Sequence, residues 1–145
     1  MPVAWLAIGV SAAVIATRSF RRYAFWLGHN AGAVALVPLA DAEALCRARL
    51  IAAAVGIASR NAPFRSNCLP QAMAAIYLCR RAGVPYAMHL GVMPSDAPGL
   101  GVLQAHAWIE CGNVTITGGP RSLARYRALA CFTSFGVAGQ RDRPR

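Results

Sequence analysis

Five cysteines (Cys46, Cys68, Cys79, Cys111 and Cys131) and three histidines (His29, His89 and His106) are the chain's candidate nucleophiles and bases. A thiol attacks a carbonyl only as its thiolate, and two surroundings favour that form: the positive end of a helix and a neighbouring imidazole. Cys68 has the first by position. Ser66 or Asn67 can cap a helix there, Pro70 falls in the first turn where its missing N–H is harmless, and Gly83 stops the helix. Free amides at that tip, around Asn67 and Cys68, can also hold the oxyanion formed when a thiolate adds to a carbonyl. The other cysteines fall in apolar stripes or at strand and helix ends.

The imidazole must come from a strand that reaches the tip. His106 sits in the middle of LQAHAWIEC, residues 103–111, a strand otherwise fit for burial, so its ring needs a polar partner. His89 competes from the preceding strand but can as easily face solvent, and His29 reads as a surface residue. Five cysteines and three histidines allow fifteen pairings. Spacing alone therefore leaves a catalytic pair and a buried thiol beside a satisfied core histidine both open.

The elements that would position this pair are legible in outline. Residues 3–16, VAWLAIGVSAAVIA, form an apolar helix running to about Arg22, and 23–40 read as a loop with a short second helix. Asp41 caps the next helix, where Cys46, Leu50, Ala53 and Ile57 recur at helical spacing as an apolar stripe. Cys46 then reads as a small core residue. After the Cys68 helix the period changes to two, giving a strand from Val84 to Val92 and, after the loop 94–101, the His106 strand. Gly112-Asn113 turns the chain into Val114–Thr117, and 122–132 supply a last short helix or strand. Helices first and an antiparallel sheet after them make the α+β class. The boundaries read as an apolar N-terminal helical segment 1–40, a core 41–135 and a flexible basic tail 136–145.

Composition narrows the function. With 57% hydrophobic and 14% charged residues the chain is too apolar to be disordered. All fifteen positive charges are Arg, against five acids, giving +10. That excess favours an anionic partner, yet no nucleic-acid-binding signature accompanies it, so no nucleic acid is expected. An odd number of cysteines, with no CxxC and no His at zinc-finger spacing, argues against a disulfide framework or a structural zinc site and suits reduced, cytoplasmic thiols; no cofactor is expected. The run 3–16 is shorter than the roughly 20 residues of a bilayer span; a docking helix and peripheral membrane contact both remain open for it.

The stretch SNCLPQAMAAIYLCRRAGVPYAMHLGV, followed by QAHAWIECGNV, resembles the lasso peptide leader peptidase family, a branch of the transglutaminase-like cysteine peptidases. Four motifs recur in order within residues 64–117: Cys68-Leu69 opening a helix, Leu78-Cys79-Arg80-Arg81-Ala82-Gly83-Val84 closing it, Gly91-Val92, and Ala105-His106-Ala107-Trp108-Ile109-Glu110. The resemblance implies a transglutaminase- or papain-like fold, Cys68 as nucleophile, His106 as general base and then acid, and Trp108 as a wall of the substrate site. It implies as partners a lasso precursor peptide, a separate leader-binding protein and a lasso cyclase acting on the product. An Asp on the strand after the hairpin should orient the imidazole, but Gly118 and Gly119 stand there. A two-residue turn would pair Trp108 with Thr117 and His106 with Gly119, leaving Thr117, Glu110, or a backbone carbonyl or water as the orienting group. An inert binding subunit and an acyltransferase of the same fold are the alternatives.

Overall fold

The computed structural model describes residues 2–17, 19–61, 67–94, 103–120 and 122–135; the expected tail 136–145, the loop 95–101 and Ser66 lie outside them. Helix α1, Pro2–Thr17, ends earlier than the apolar run suggested, because Ser19 adopts an extended conformation and starts a separate helix α2, Phe20–Leu27. Arg21 and Arg22 thus belong to α2, which buries Tyr23 and Leu27 and exposes Phe25. In place of a loop, residues after Gly28 form the short strand β1, His29–Gly32. Gly28 holds φ +134°, and a side chain there would stand 2.4 Å from the Thr133 carbonyl oxygen of the strand that pairs with β1. Among the described residues no helix is long and apolar enough to cross a membrane.

Asp41 caps α3, Ala42–Arg60, by accepting the Ala44 N–H at 2.7 Å, as its type and place require. The buried face of α3 is nevertheless Ala44, Ala48, Ile51, Val55 and Ala58, and Leu50 is 66% exposed. The expected stripe of Cys46, Leu50 and Ala53 faces outward. The helix is alanine-rich on every side, so its period was ambiguous, and the face that won carries small residues at the spacing that lets α3 lie close to its neighbours.

Helix α4, Cys68–Ala82, begins and ends where the sequence places it, with Gly83 left-handed at φ +63°. Tyr86, fully buried, ties this end down: its hydroxyl donates to the Leu27 carbonyl (2.9 Å) and accepts from Arg80 Nε (3.1 Å). Strands β2 (Ala87–Pro94), β3 (Leu103–Cys111), β4 (Val114–Thr117) and β5 (Arg127–Thr133) complete a five-stranded antiparallel sheet ordered β1-β5-β2-β3-β4. The last segment supplies both the helix and the strand it suggested, α5 (Ser122–Arg125) and β5, and β5 inserts between β1 and β2.

Register divides the sheet into two faces, because paired residues share a side and successive residues alternate. Met88 opposite Ile109 and Leu90 opposite Ala107 face the helices, and join Ala48, Val55, Ala72, Met73, Ile76 and Cys79 in one core. Ala4, Ile8, Tyr23 and Leu27 belong to that core too, so α1 and α2 are built into it. His89 opposite Trp108 and Gly91 opposite His106 occupy the other face.

Gly91 is what admits the indole: a Cβ there would stand 2.7 Å from Trp108 Cη2 and 2.8 Å from the Arg127 carbonyl oxygen. Gly91→Ala should therefore cost about 1–3 kcal/mol as an overpacked site, read as a lower urea midpoint with an unchanged slope.

Candidate active site

Burial separates the five thiols. Cys79, Cys111 and Cys131 are fully buried. Desolvation pushes Cys79 up to about 12, with Cys111 beside it adding to the shift, and burial raises Cys111 and Cys131 as well. None of the three is available as a thiolate. Cys46 is exposed on α3, and Cys68 is half-buried at the first position of α4. Asn67 is the N-cap residue in extended conformation, and its side chain makes no capping hydrogen bond. The amides of Cys68 and Leu69 consequently have no partner within the helix, and Pro70 has no N–H to offer.

Helix α4 packs against β3, the strand that carries His106. A groove of about 590 Å³ is lined by Gln71, one turn past Cys68, together with Thr117, Gly118 and Gly119. Cys68 sits on the helix side of the sheet and the His106 side chain on the Trp108 side, and the two are not hydrogen bonded to one another.

The His106 ring is held from three directions. Its Nε2 lies 2.8 Å from the Gly118 carbonyl oxygen. A carbonyl only accepts, so Nε2 carries the proton and Nδ1 of the neutral ring is left with a lone pair. Tyr126 stacks on the ring with centroids 4.6 Å apart, and Trp108 stacks at 6.0 Å. The hydroxyl of buried Ser122 donates to the same Gly118 oxygen (2.8 Å) and to that of Gly119 (3.0 Å), fixing the turn.

Of the three orienting groups that the sequence left open, the backbone carbonyl holds the ring. Glu110 instead accepts from Thr115 Oγ1 at 3.1 Å, a full four residues along the strand from His106. Thr117 Oγ1 is buried without a partner among the described residues. Register explains the outcome: an irregularity between Ile109 and Glu110 pairs Thr117 with Ile109 rather than Trp108, which draws the Gly118 carbonyl to the imidazole. Trp108 is fully buried and backs His106 instead of walling an open site. His89 is likewise fully buried rather than solvent-facing; its Nε2 donates to the Leu36 carbonyl (2.9 Å) and its ring stacks on Trp108 at 5.1 Å. Tyr126 and Ser122 had no signal in the sequence, because nothing there tells that the 122–132 segment folds back beside His106. Among the described residues, no group of three or more His, Cys, Asp or Glu is placed to hold a metal ion.

The sequence profile of the transglutaminase-like superfamily matches residues 10–131. Comparison with curated proteins and with solved structures returns no match.

Two measurements check this arrangement. Iodoacetamide should modify two of the five thiols in the native protein, Cys46 and Cys68, and all five in urea, counted by intact mass. Burial, outweighing the Leu36 bond, lowers the pKa of His89 from its ordinary 6.5. The unfolded chain then binds the proton first, so His89's contribution to stability is complete above 6.5 and lost as pH falls through the lowered native value. Glu110, raised by burial, titrates with the opposite sign. The comparison of wild type with His89→Gln isolates His89: urea unfolding should show a stability decline from about pH 7 to 5 that is markedly flatter in the variant.

Proposed function

Given that the chain belongs to the transglutaminase-like superfamily, whose members include cysteine peptidases and acyltransferases, we propose that it is a cysteine endopeptidase that removes the leader from a lasso peptide precursor. What supports this reading is a half-buried thiol at the first position of α4 and, on the strand packed against that helix, an imidazole whose Nδ1 is left as the base. The four motifs within residues 64–117 supply the substrate class.

The chemistry follows from the groups present. Nδ1 of His106 takes the Cys68 proton, and the thiolate adds to the scissile carbonyl carbon. The resulting oxyanion lies against the Cys68 and Leu69 amides at the positive end of α4. The imidazolium then protonates the departing amine as the C–N bond breaks, leaving the leader as a thioester on Cys68. Water, deprotonated by His106, attacks the thioester, and the sulfur leaves and regains its proton. An amine in place of water would make the same intermediate an acyl donor. Contact between sulfur and Nδ1 is a feature of the substrate-bound site, since catalytic hydrogen bonds are often long in free enzymes and tighten in the complex.

A leader-binding protein presents the precursor, and a cyclase closes the ring on the new N-terminus. Docking falls to the apolar groove of about 620 Å³ between α1 and α4, lined by Leu6, Val10, Trp26, Met73, Tyr77 and Arg81. Leu6 and Val10 are well exposed there, as suits an interface rather than a free surface.

Mixing precursor, leader-binding protein and enzyme and reading product masses tests the proposal. Cleavage should add one water across a single bond, vanish in Cys68→Ala, and fall about 100- to 10,000-fold in His106→Ala. A product carrying an amine instead of water would establish acyl transfer, and unchanged cleavage in either variant would remove this site.

A further inference from the structure

The groove beside Cys68 is lined by Thr115, Ile116, Thr117, Gly118 and Gly119 in unbroken succession. A groove lying on one face of a sheet meets only alternate residues of a strand. Consecutive lining means that it runs along the edge of β4, and β4 pairs only with β3 among the described residues. Its far wall is one face of α3, with Ala52, Val55, Gly56 and Arg60. Gln71 closes the end, and Cys68 lies on the same face of α4, one turn earlier.

Three further observations describe what would fit. Thr117 lines the groove and is 6% exposed, and its buried hydroxyl has no hydrogen-bond partner among the described residues. A buried polar group left so is costly unless something else supplies the bond. Arg60 reaches back along α3, its Nη1 3.5 Å from where a Cβ on Gly56 would stand. The one ion pair among the described residues is Arg47 with Glu43, so no described carboxylate neutralises Arg60.

Building on the peptidase reading, we infer that this groove takes the substrate as an added β-strand along β4, with Thr117 bonding its backbone and Arg60 reading an acidic side chain. The bound segment is an extended peptide that reaches Cys68 past Gln71. An edge strand offers half its amides and carbonyls outward, so backbone pairing supplies affinity while groove side chains supply selectivity. Arg60 is then a specificity residue, not a catalytic one.

The test uses full-length Cys68→Ala protein and fluorescein-labelled ten-residue peptides of Ser, Thr, Val and Gly, with a single Asp or Asn moved through each position. Fluorescence anisotropy should show Asp preferred over Asn by about tenfold at one or two positions. Arg60→Glu should abolish that preference and transfer it to Lys at the same positions. N-methylation should weaken binding at alternate residues only, and Thr117→Val should weaken binding while raising the melting temperature. Absence of saturable binding, an Asp preference indifferent to Arg60→Glu, or equal effects of N-methylation at every residue overturns the inference. A dimer on gel filtration that peptides do not dissociate overturns it in favour of edge-to-edge pairing of two copies. Because binding is read without cleavage, intact binding with no product from the wild-type enzyme would sink the peptidase reading and leave the groove standing.

Discussion

One hydrogen bond sets the chemistry of this site: the Nε2 proton of His106 on the Gly118 carbonyl oxygen. It selects the tautomer, and with it the nitrogen that can receive a proton from a thiol. A carboxylate in that place would fix the same tautomer and also add a negative charge to stabilise the imidazolium. A carbonyl contributes only its dipole. The site is consequently built to hold a neutral base in one orientation, with less help for the charged state that follows proton transfer.

Glycine is a condition of that bond. Gly118 holds φ +95°, and a Cβ on it would lie 2.3 Å from Trp108 Cβ and 3.0 Å from His106 Nε2. No Asp can stand at residue 118 with this backbone, so the departure from the expected triad is built into the turn rather than being a single missing side chain. The turn is in turn fixed by Ser122, and the imidazole is packed between Tyr126 and an indole that Gly91 makes room for. His89 completes the stack from below, neutral because its surroundings exclude water. Three rings and two glycines thus serve the orientation of one nitrogen.

The sequence disclosed the parts governed by local rules. The Asp41 cap, the start of α4 at Cys68, its Gly83 stop and the Gly112-Asn113 hairpin each follow from a residue acting on its own neighbours, and each stands where it was expected. What failed depended on distant contacts. The face of α3 was misread because an alanine-rich helix has no dominant stripe. Trp108 and His89 were misplaced because burial on the second face of the sheet depends on β5 and on residues near Leu36, far away in the chain. The one-residue slip at Ile109 decided which group meets His106, and no local pattern announces such a slip.

Edge strands are ordinarily guarded, since unpaired amides and carbonyls invite aggregation. Here β4 is only four residues long, Val114–Thr117, and ends in two glycines with positive φ. Brevity limits the hazard, and the glycines turn the chain away at its end. The same short edge still leaves backbone groups that an extended peptide can pair with, and a longer β4 would bind such a peptide more firmly.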